Sequence, residues 1–160
     1  MNDTHPTYSY FRCLYGIIQI ACTSHALLSL QLVPAHVQET TENPLHVLVA
    51  QQLGEYLSGS RRDFTIPLEL HGTDFQKRVW KALCDIPYGQ TRSYKEIAKA
   101  IGNEKASRAV GMANNRNPIF IIVPCHRVIG ANKSLVGYAG GLEMKRGLLD
   151  LEEHNTFIPR

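Results

Sequence analysis

The rhythm of apolar and polar positions changes once along the chain, near residue 72, and the change predicts two regions of different construction. In "GIIQIACTSHALLSLQLV" Ile18 and Ile20 recur at period two on one arm and Leu28, Leu30 and Leu32 on the other, around the polar Thr23-Ser24-His25. That is the pattern of a β-hairpin with one buried face. The first fifteen or so residues are polar and aromatic without a clear period and read as irregular chain or a first strand. "VPAHVQETTENP" reads as a loop. From Pro44 to Leu57, "PLHVLVAQQLGEYL" spaces its apolar residues as a helix, with Pro44 in a permitted first-turn position, and "SGSRRDF" ends it.

From Thr73 onward the pattern predicts helices joined by tight turns. "TDFQKRVWKALCDI" places Phe75, Val79, Trp80 and Leu83 on one arc, with Thr73 or Asp74 able to cap it, and "PYGQT" is a turn. "SYKEIAKAIGN" opens with the capping box Ser93-x-x-Glu96 and closes at Gly102. A second short helix, within "NEKASRAVGMANNRN", follows after about four residues, which is the spacing of a helix-turn-helix. "IFIIV" reads as a buried strand or extended segment, "GYAGG" as a glycine-rich loop and "GLEMKRGLLDLEEH" as a closing helix. The expected fold class is α+β: an N-terminal domain over 1–71 and a C-terminal, mainly helical domain over 72–160.

Composition narrows the class. At 160 residues and 44% hydrophobic the chain has ordinary globular make-up. No apolar run approaches the roughly 18 residues of a membrane span, and the N-terminal stretch has neither a basic start nor an apolar signal core, so an intracellular protein is expected. The four cysteines, Cys13, Cys22, Cys84 and Cys125, show no CxxC pair or metal-finger spacing, which points to reduced thiols and no bound metal.

Charge divides as the pattern does. Residues 1–71 carry three Lys or Arg against six Asp or Glu, and residues 72–160 carry fourteen against eight. Within 77–116 alone nine basic residues face three acidic ones, on a stretch that reads as helical. A solvated helix face is the plain reading of such a block; a nucleic-acid surface is the functional one.

The candidate chemistry lies in "IFIIVPCHRVIG". Cysteine is often a small core filler, and that reading of Cys125 comes first on frequency. Three neighbours argue for a reactive thiol instead. Pro124 cannot donate to a sheet and interrupts regular structure at this point. His126 offers an imidazole and Arg127 a permanent positive charge, both of which are expected to lower the thiol pKa and leave it partly ionised at neutral pH. A histidine that assists a thiolate wants a third group to orient it. On the last helix Met144, Leu148, Leu149 and Leu151 form an apolar arc, and Glu152 falls inside it, where an acid needs a partner; His126 is the partner expected.

Together "IPYGQTRSYKEIA", "SRAVGMANNRNP", "VPCHRV" and "GYAGGLEMKRGLLDLE" resemble the O6-alkylguanine-DNA alkyltransferases, over about residues 64–153, and the N-terminal hairpin and helix agree in order with that family's smaller domain. The resemblance implies a ribonuclease H-like N-terminal domain and a winged-type helix-turn-helix in the C-terminal one. It implies that Cys125 accepts the alkyl group, that His126 activates it through a water, and that Glu152 orients the histidine. Asn117 corresponds to an asparagine bracing the segment before the active site, and Tyr94 to a tyrosine that stabilises the departing base and crowds the phosphate. Tyr138, Asn114, Ala139 and Val128 correspond to positions around the bound guanine. Arg108 corresponds to the finger that replaces an extruded base, with Ser107, Gly111, Ser93, Tyr94 and Asn103 also on the DNA side.

The activity so implied is direct reversal of alkylation damage. O6-alkylguanine, with O4-alkylthymine as a further candidate, is rotated out of double-stranded DNA that is held through the minor groove, and the alkyl group passes irreversibly to sulfur. A thioether resists water, so one molecule repairs one lesion. No cofactor, no metal and no membrane enter the expectation, and a monomer in the cytoplasm, or the nucleus of a eukaryote, would suffice. Two positions depart from the family pattern: Asn114 where relatives often carry a larger apolar residue, and Ala139 where some carry serine. Both bear on the acceptance of bulky groups such as benzyl. A lesion sensor that flips without repairing would lack the acceptor cysteine, and a cysteine hydrolase would have no need of Arg108 or a basic helix.

Overall fold

The computed structural model describes residues 4–35 and 39–156, and the chain separates into two compact units, Met1–His71 and Gly72–Arg160. In the first unit, strands β1 (Thr7–Cys13), β2 (Gly16–Cys22) and β3 (Leu27–Val33) form an antiparallel sheet in the order β1-β2-β3. The open reading of the first residues resolves as a strand, since Thr7 to Cys13 pair with Cys22 to Gly16. Ile18 and Ile20 lie opposite Leu32 and Leu30, as period two requires. A register shift between Ala21 and Cys22 changes the start of β3: Leu27, not Leu28, is the residue sealed in the core there. Helix α1 (Pro44–Leu57) begins where expected, with the Asn43 side chain accepting from Leu45 N and His46 N. The loop expected over 33–44 includes residues 36–38, which lie outside the described residues, and its far end joins the sheet edge through Thr41 N donating to Tyr8 O at 2.9 Å.

Helix α1 buries His46 against the sheet. Thr7 Oγ1 lies 2.8 Å from Nε2 and Ser9 Oγ lies 2.7 Å from Nδ1. Thr7 uses its one hydroxyl hydrogen on Cys22 O, so it accepts from Nε2–H and Ser9 donates to Nδ1.

In the second unit, helix α2 (Asp74–Cys84) opens with the complete capping box Thr73/Gln76 and buries Val79, Trp80 and Leu83. The Trp80 indole donates to Ala113 O at 2.8 Å, which ties α2 to the end of a later helix, α4 (Ser107–Asn115). Strand β4 (Arg92–Ser93) leads into α3 (Tyr94–Ala100), capped by Ser93 and Glu96 as the sequence predicted. Gly102, at φ +78°, allows the turn to α4 (Ser107–Asn115), completing the helix-turn-helix. A 3-10 turn (Cys125–Arg127), strand β5 (Val128–Ile129), parallel to β4, and helix α5 (Leu142–Thr156) follow. The α+β class is as expected. Among the described residues no helix is long and apolar enough to cross a membrane.

One expectation fails here. The apolar run 119–123 is not a strand; past a single bridge residue, Ile119, it is a knot of turns, with Ile122 N donating to Phe120 O and Val123 N to Ile119 O. Asn117 explains why it can be. Its Nδ2 donates to Val123 O at 2.7 Å and its Oδ1 accepts from Ile119 N at 3.0 Å, filling both roles a neighbouring strand would fill. Ile121 sits at φ +72°, a conformation that a β-branched residue adopts only when its surroundings force it.

Candidate active site

The turns of 119–123 deliver Cys125 to the first position of the 3-10 turn, where it is buried at 3% exposure. Asn114, from α4, donates through Nδ2 to Cys125 O at 3.4 Å, so two asparagines of the α4 end hold the backbone around the thiol. His126 is wholly buried, and its Nε2 lies 2.6 Å from Glu152 Oε2. Glu152 reaches this position from α5, and it is 1% exposed. It accepts three further bonds: from Arg127 Nε at 2.8 Å, Arg127 Nη2 at 3.1 Å and Gly89 N at 3.2 Å.

The electrostatics follow from this wiring. For Glu152, burial alone would raise the carboxyl pKa, but the hydrogen bonds and charges of His126 and Arg127 outweigh it and bring the group to about 2. Burial lowers the pKa of His126 more than Glu152 raises it. The imidazole is therefore neutral, donating from Nε2 to an anionic carboxylate whose permanent counter-charge is Arg127. This tautomer leaves the lone pair on Nδ1.

Arg127 corrects a second expectation. Its guanidinium clamps Glu152, donates to Ile86 O at 2.7 Å and lies 5.6 Å from the Tyr88 ring centre, so its charge is committed away from the sulfur. Cys125 is accordingly not partly ionised. Burial raises its thiol to about 11, against the lowering effects of the Asn117 amide, Lys145 and the local backbone. Cys22, buried in the N-terminal unit with no such help, rises to about 12.

Tyr94, at the start of α3, donates its hydroxyl to Val136 O at 3.1 Å, and burial together with the nearby Cys125 raises its pKa, so the phenol keeps its proton. Tyr138 is half-buried with its ring 6.3 Å from that of Phe120. Gly111 lies against Tyr94: an added Cβ would stand 3.8 Å from that ring. Arg108 is exposed on α4, and Ser107 begins that helix. Cys125, His126, Glu152, Asn117 and Asn114 are thus brought into one cluster, with Tyr94 at its edge. Val128 is buried in β5, Ala139 is exposed in the loop before α5, Ser93 is taken up as the cap of α3, and Asn103 lies in the turn after it. Lys145 was not singled out from the sequence although it is fully buried here; its spacing of seven residues from Glu152 was the available signal, because seven residues return to the same helix face.

Comparison with known proteins places this arrangement in context. Residues 74–154 match the model of the 6-O-methylguanine DNA methyltransferase DNA binding domain, and residues 7–70 that of the same family's ribonuclease-like domain. The chain is 51% identical over 146 residues to a methylated-DNA–protein-cysteine methyltransferase of Mycobacterium leprae, covering 88% of each. It is 63% identical over 106 residues to one of Methanosarcina barkeri, covering 66% of this chain and 67% of that one. The crystal structure of Mycobacterium tuberculosis O6-methylguanine methyltransferase superimposes with a TM-score of 0.86 at 45% identity, covering 97% of this chain and 96% of that chain. Mycobacterium tuberculosis OGT, solved in complex with DNA, superimposes with a TM-score of 0.86 at 46% identity, covering 93% and 94%.

Proposed function

The chain belongs to the 6-O-methylguanine DNA methyltransferase family, and on that premise we propose that Cys125 is its alkyl acceptor and α4 its hold on DNA. The activity of the chain is transfer of a methyl group from methylated DNA to a protein cysteine, a repair of alkylated DNA. The observation that carries the assignment is the 2.6 Å bond between His126 and Glu152 on the turn that also bears Cys125. It makes His126 a neutral base with its lone pair on Nδ1, and a base is what a thiol with a pKa near 11 requires.

In this reading the thiol proton passes to His126 through a water. The sulfur then attacks the saturated carbon, the bond from carbon to O6 breaks, and the electron pair leaves with guanine. Tyr94, kept protonated by its surroundings, is the donor that meets the departing base. The imidazolium is stabilised by Glu152. The product thioether has no hydrolytic exit, so each molecule acts once.

A duplex hides the O6 substituent, so the nucleotide is rotated out at a cost of a few kcal/mol, and Arg108 from α4 fills the gap. The minor groove suits this helix, since contacts there carry little sequence information and damage occurs in any sequence. Asn103, Ser93 and Ser107 flank it on the DNA side, and Tyr138, Ala139, Val128 and Asn114 surround the base. The protein works as a monomer in the cytoplasm, on O6-alkylguanine in duplex DNA, with O4-alkylthymine as a second substrate to be compared in the same assay.

Intact-protein mass spectrometry after mixing with duplex DNA containing O6-methylguanine tests the assignment. The expected result is a gain of one methyl group per molecule, located on Cys125 and absent in Cys125→Ser; methylation elsewhere, or turnover beyond one, overturns it. Arg108→Ala is expected to slow duplex repair by on the order of 100-fold, the few kcal/mol of an unsupported flipped base, while transfer from a free guanine derivative stays near the unmodified rate. Equal slowing of both removes the finger role.

A further inference from the structure

Asn114 is 2% exposed on α4, and the protein uses only one end of its amide. Nδ2 donates to Cys125 O at 3.4 Å. Oδ1 is sealed from solvent, and among the described residues no donor reaches it. The bond from Nδ2 fixes which end is which, because an oxygen turned toward the Cys125 carbonyl would meet a second acceptor. A buried amide oxygen without a donor is a standing cost, and folded chains keep few of them.

The side-chain donors around it are committed elsewhere. Trp80 Nε1 donates to Ala113 O, the carbonyl of the preceding residue. Asn117 Nδ2 donates to Val123 O. His126 Nε2 donates to Glu152, and the Arg127 guanidinium is divided between Glu152 and Ile86 O. A donor for Oδ1 therefore comes from whatever enters the site.

The way in is shared with the sulfur. Cys125 is itself 3% exposed, so the opening that admits a base to the thiol forms at residue 125, and the Asn114 amide is bonded to the carbonyl of that residue. An alkyl group on O6 leaves N1 of guanine without a hydrogen, and the 2-amino group is then the one N–H donor of the base. O6 and the 2-amino group flank N1 on the same edge of the ring. With the alkyl carbon facing the sulfur, that edge faces residue 125 and the amide bonded to it. O4-alkylthymine, whose N3 has likewise lost its hydrogen, carries no N–H donor.

We propose that Asn114 is a specificity-determining residue whose Oδ1 accepts from the 2-amino group of the flipped O6-alkylguanine, selecting it over alkylated bases that lack that group. The transfer step is unchanged: the thiol proton goes to His126, sulfur forms the bond to carbon, the bond from that carbon to O6 breaks, and its electron pair leaves with guanine. The amino hydrogens stay on their nitrogen throughout. The inference rests on Cys125 being the acceptor.

The test is single-turnover methyl transfer from duplexes carrying O6-methylguanine or O6-methylhypoxanthine, which differs only in lacking the 2-amino group, with methyl gain on Cys125 read by intact-protein mass spectrometry. The unmodified protein is expected to react about tenfold faster with the guanine, the worth of a hydrogen bond to a buried acceptor. Asn114→Leu and Asn114→Ala, which remove Oδ1, should lose that preference. Asn114→Asp, which keeps an acceptor in place, should retain it whatever its overall rate. Lost packing, or a displaced Cys125 carbonyl, slows both bases alike and cancels in the preference. Differences in how readily each base leaves the duplex cancel between proteins given the same duplexes.

Equal reaction of the unmodified protein with both bases overturns the proposal. A preference for guanine that survives in Asn114→Leu or Asn114→Ala also overturns it, by assigning the reading to another acceptor such as Cys125 O. Loss of the preference in Asn114→Asp as well overturns it by assigning the effect to the Nδ2 bond. No methyl on Cys125 from either duplex removes the acceptor role and the inference with it, whereas methyl gain there with an unshifted preference removes the inference alone.

Discussion

Among the described residues each unit of this molecule buries one histidine in a hydrogen-bonded niche, and only one of the two niches is equipped for proton transfer. His46 stands between the hydroxyls of Thr7 and Ser9. His126 stands against the carboxylate of Glu152. Burial lowers the pKa of both, so both are neutral at rest. The difference lies in what happens when a proton arrives. Around His46 the hydroxyls offer only dipoles and Glu42 favours the charged ring by its charge alone, while Ser9 already donates to the nitrogen that would have to be protonated, so an imidazolium there would face a donor. Glu152 holds a full negative charge, kept ionised by Arg127, and its Nε2 partner leaves the other ring nitrogen to accept. A histidine's capacity for chemistry is therefore set by whether its partner can hold the compensating charge.

Removing that charge should give the largest effect. Glu152→Gln leaves Arg127 buried without its counter-ion and is expected to cost about 3 kcal/mol of stability, read as a lower thermal midpoint. It should slow methyl transfer by on the order of 100-fold through the loss of an oriented base. A normal transfer rate in a folded Glu152→Gln protein would erase the contrast between the two histidines. Next in size is His46→Leu, which leaves the Ser9 hydroxyl without its acceptor on His46 and should cost about 2 kcal/mol while transfer at Cys125 by the folded protein keeps its rate. A transfer defect as large as that of Glu152→Gln would give His46 a part in the chemistry.

The smallest effect separates the two niches by pH. Both histidines have folded pKa values below the unfolded value near 6.5, so the unfolded chain binds the extra protons and stability falls as pH drops below 6.5. Glu152 has a folded pKa of about 2 against 4.5, so its contribution, present above 4.5, is lost as pH falls from there toward 2. Thermal midpoints measured from pH 8 downward should show both limbs. His46→Leu should flatten the first and leave the second, and Glu152→Gln should remove the second. An unchanged first limb in His46→Leu would show that His46 binds no fewer protons folded than unfolded.

Local order was largely legible from the sequence. The hairpin, α1, the capping boxes of α2 and α3, and the helix-turn-helix were all written in periodicities and caps that act within about ten residues. The pairing of His126 with Glu152 was legible for a related reason, because a carboxylate inside an apolar helical arc must find a partner. Three features were not. The run 119–123 has the composition of a strand, but Asn117 bonds both its ends and folds it into turns. Arg127 was expected to charge the thiol, but the carboxylate that it clamps arrives from twenty-five residues away. Lys145 is fully buried because the packing of α5 turns that face inward.

The sequence by itself determined which elements form and which side chains carry reactive atoms, since both are properties of residue type and of spacing along the chain. Only the tertiary structure decided the protonation of those atoms. Charge and desolvation act through space, and the groups that oppose burial at Cys125 include the Asn117 amide and Lys145 of α5, brought to the site by packing that no local pattern records.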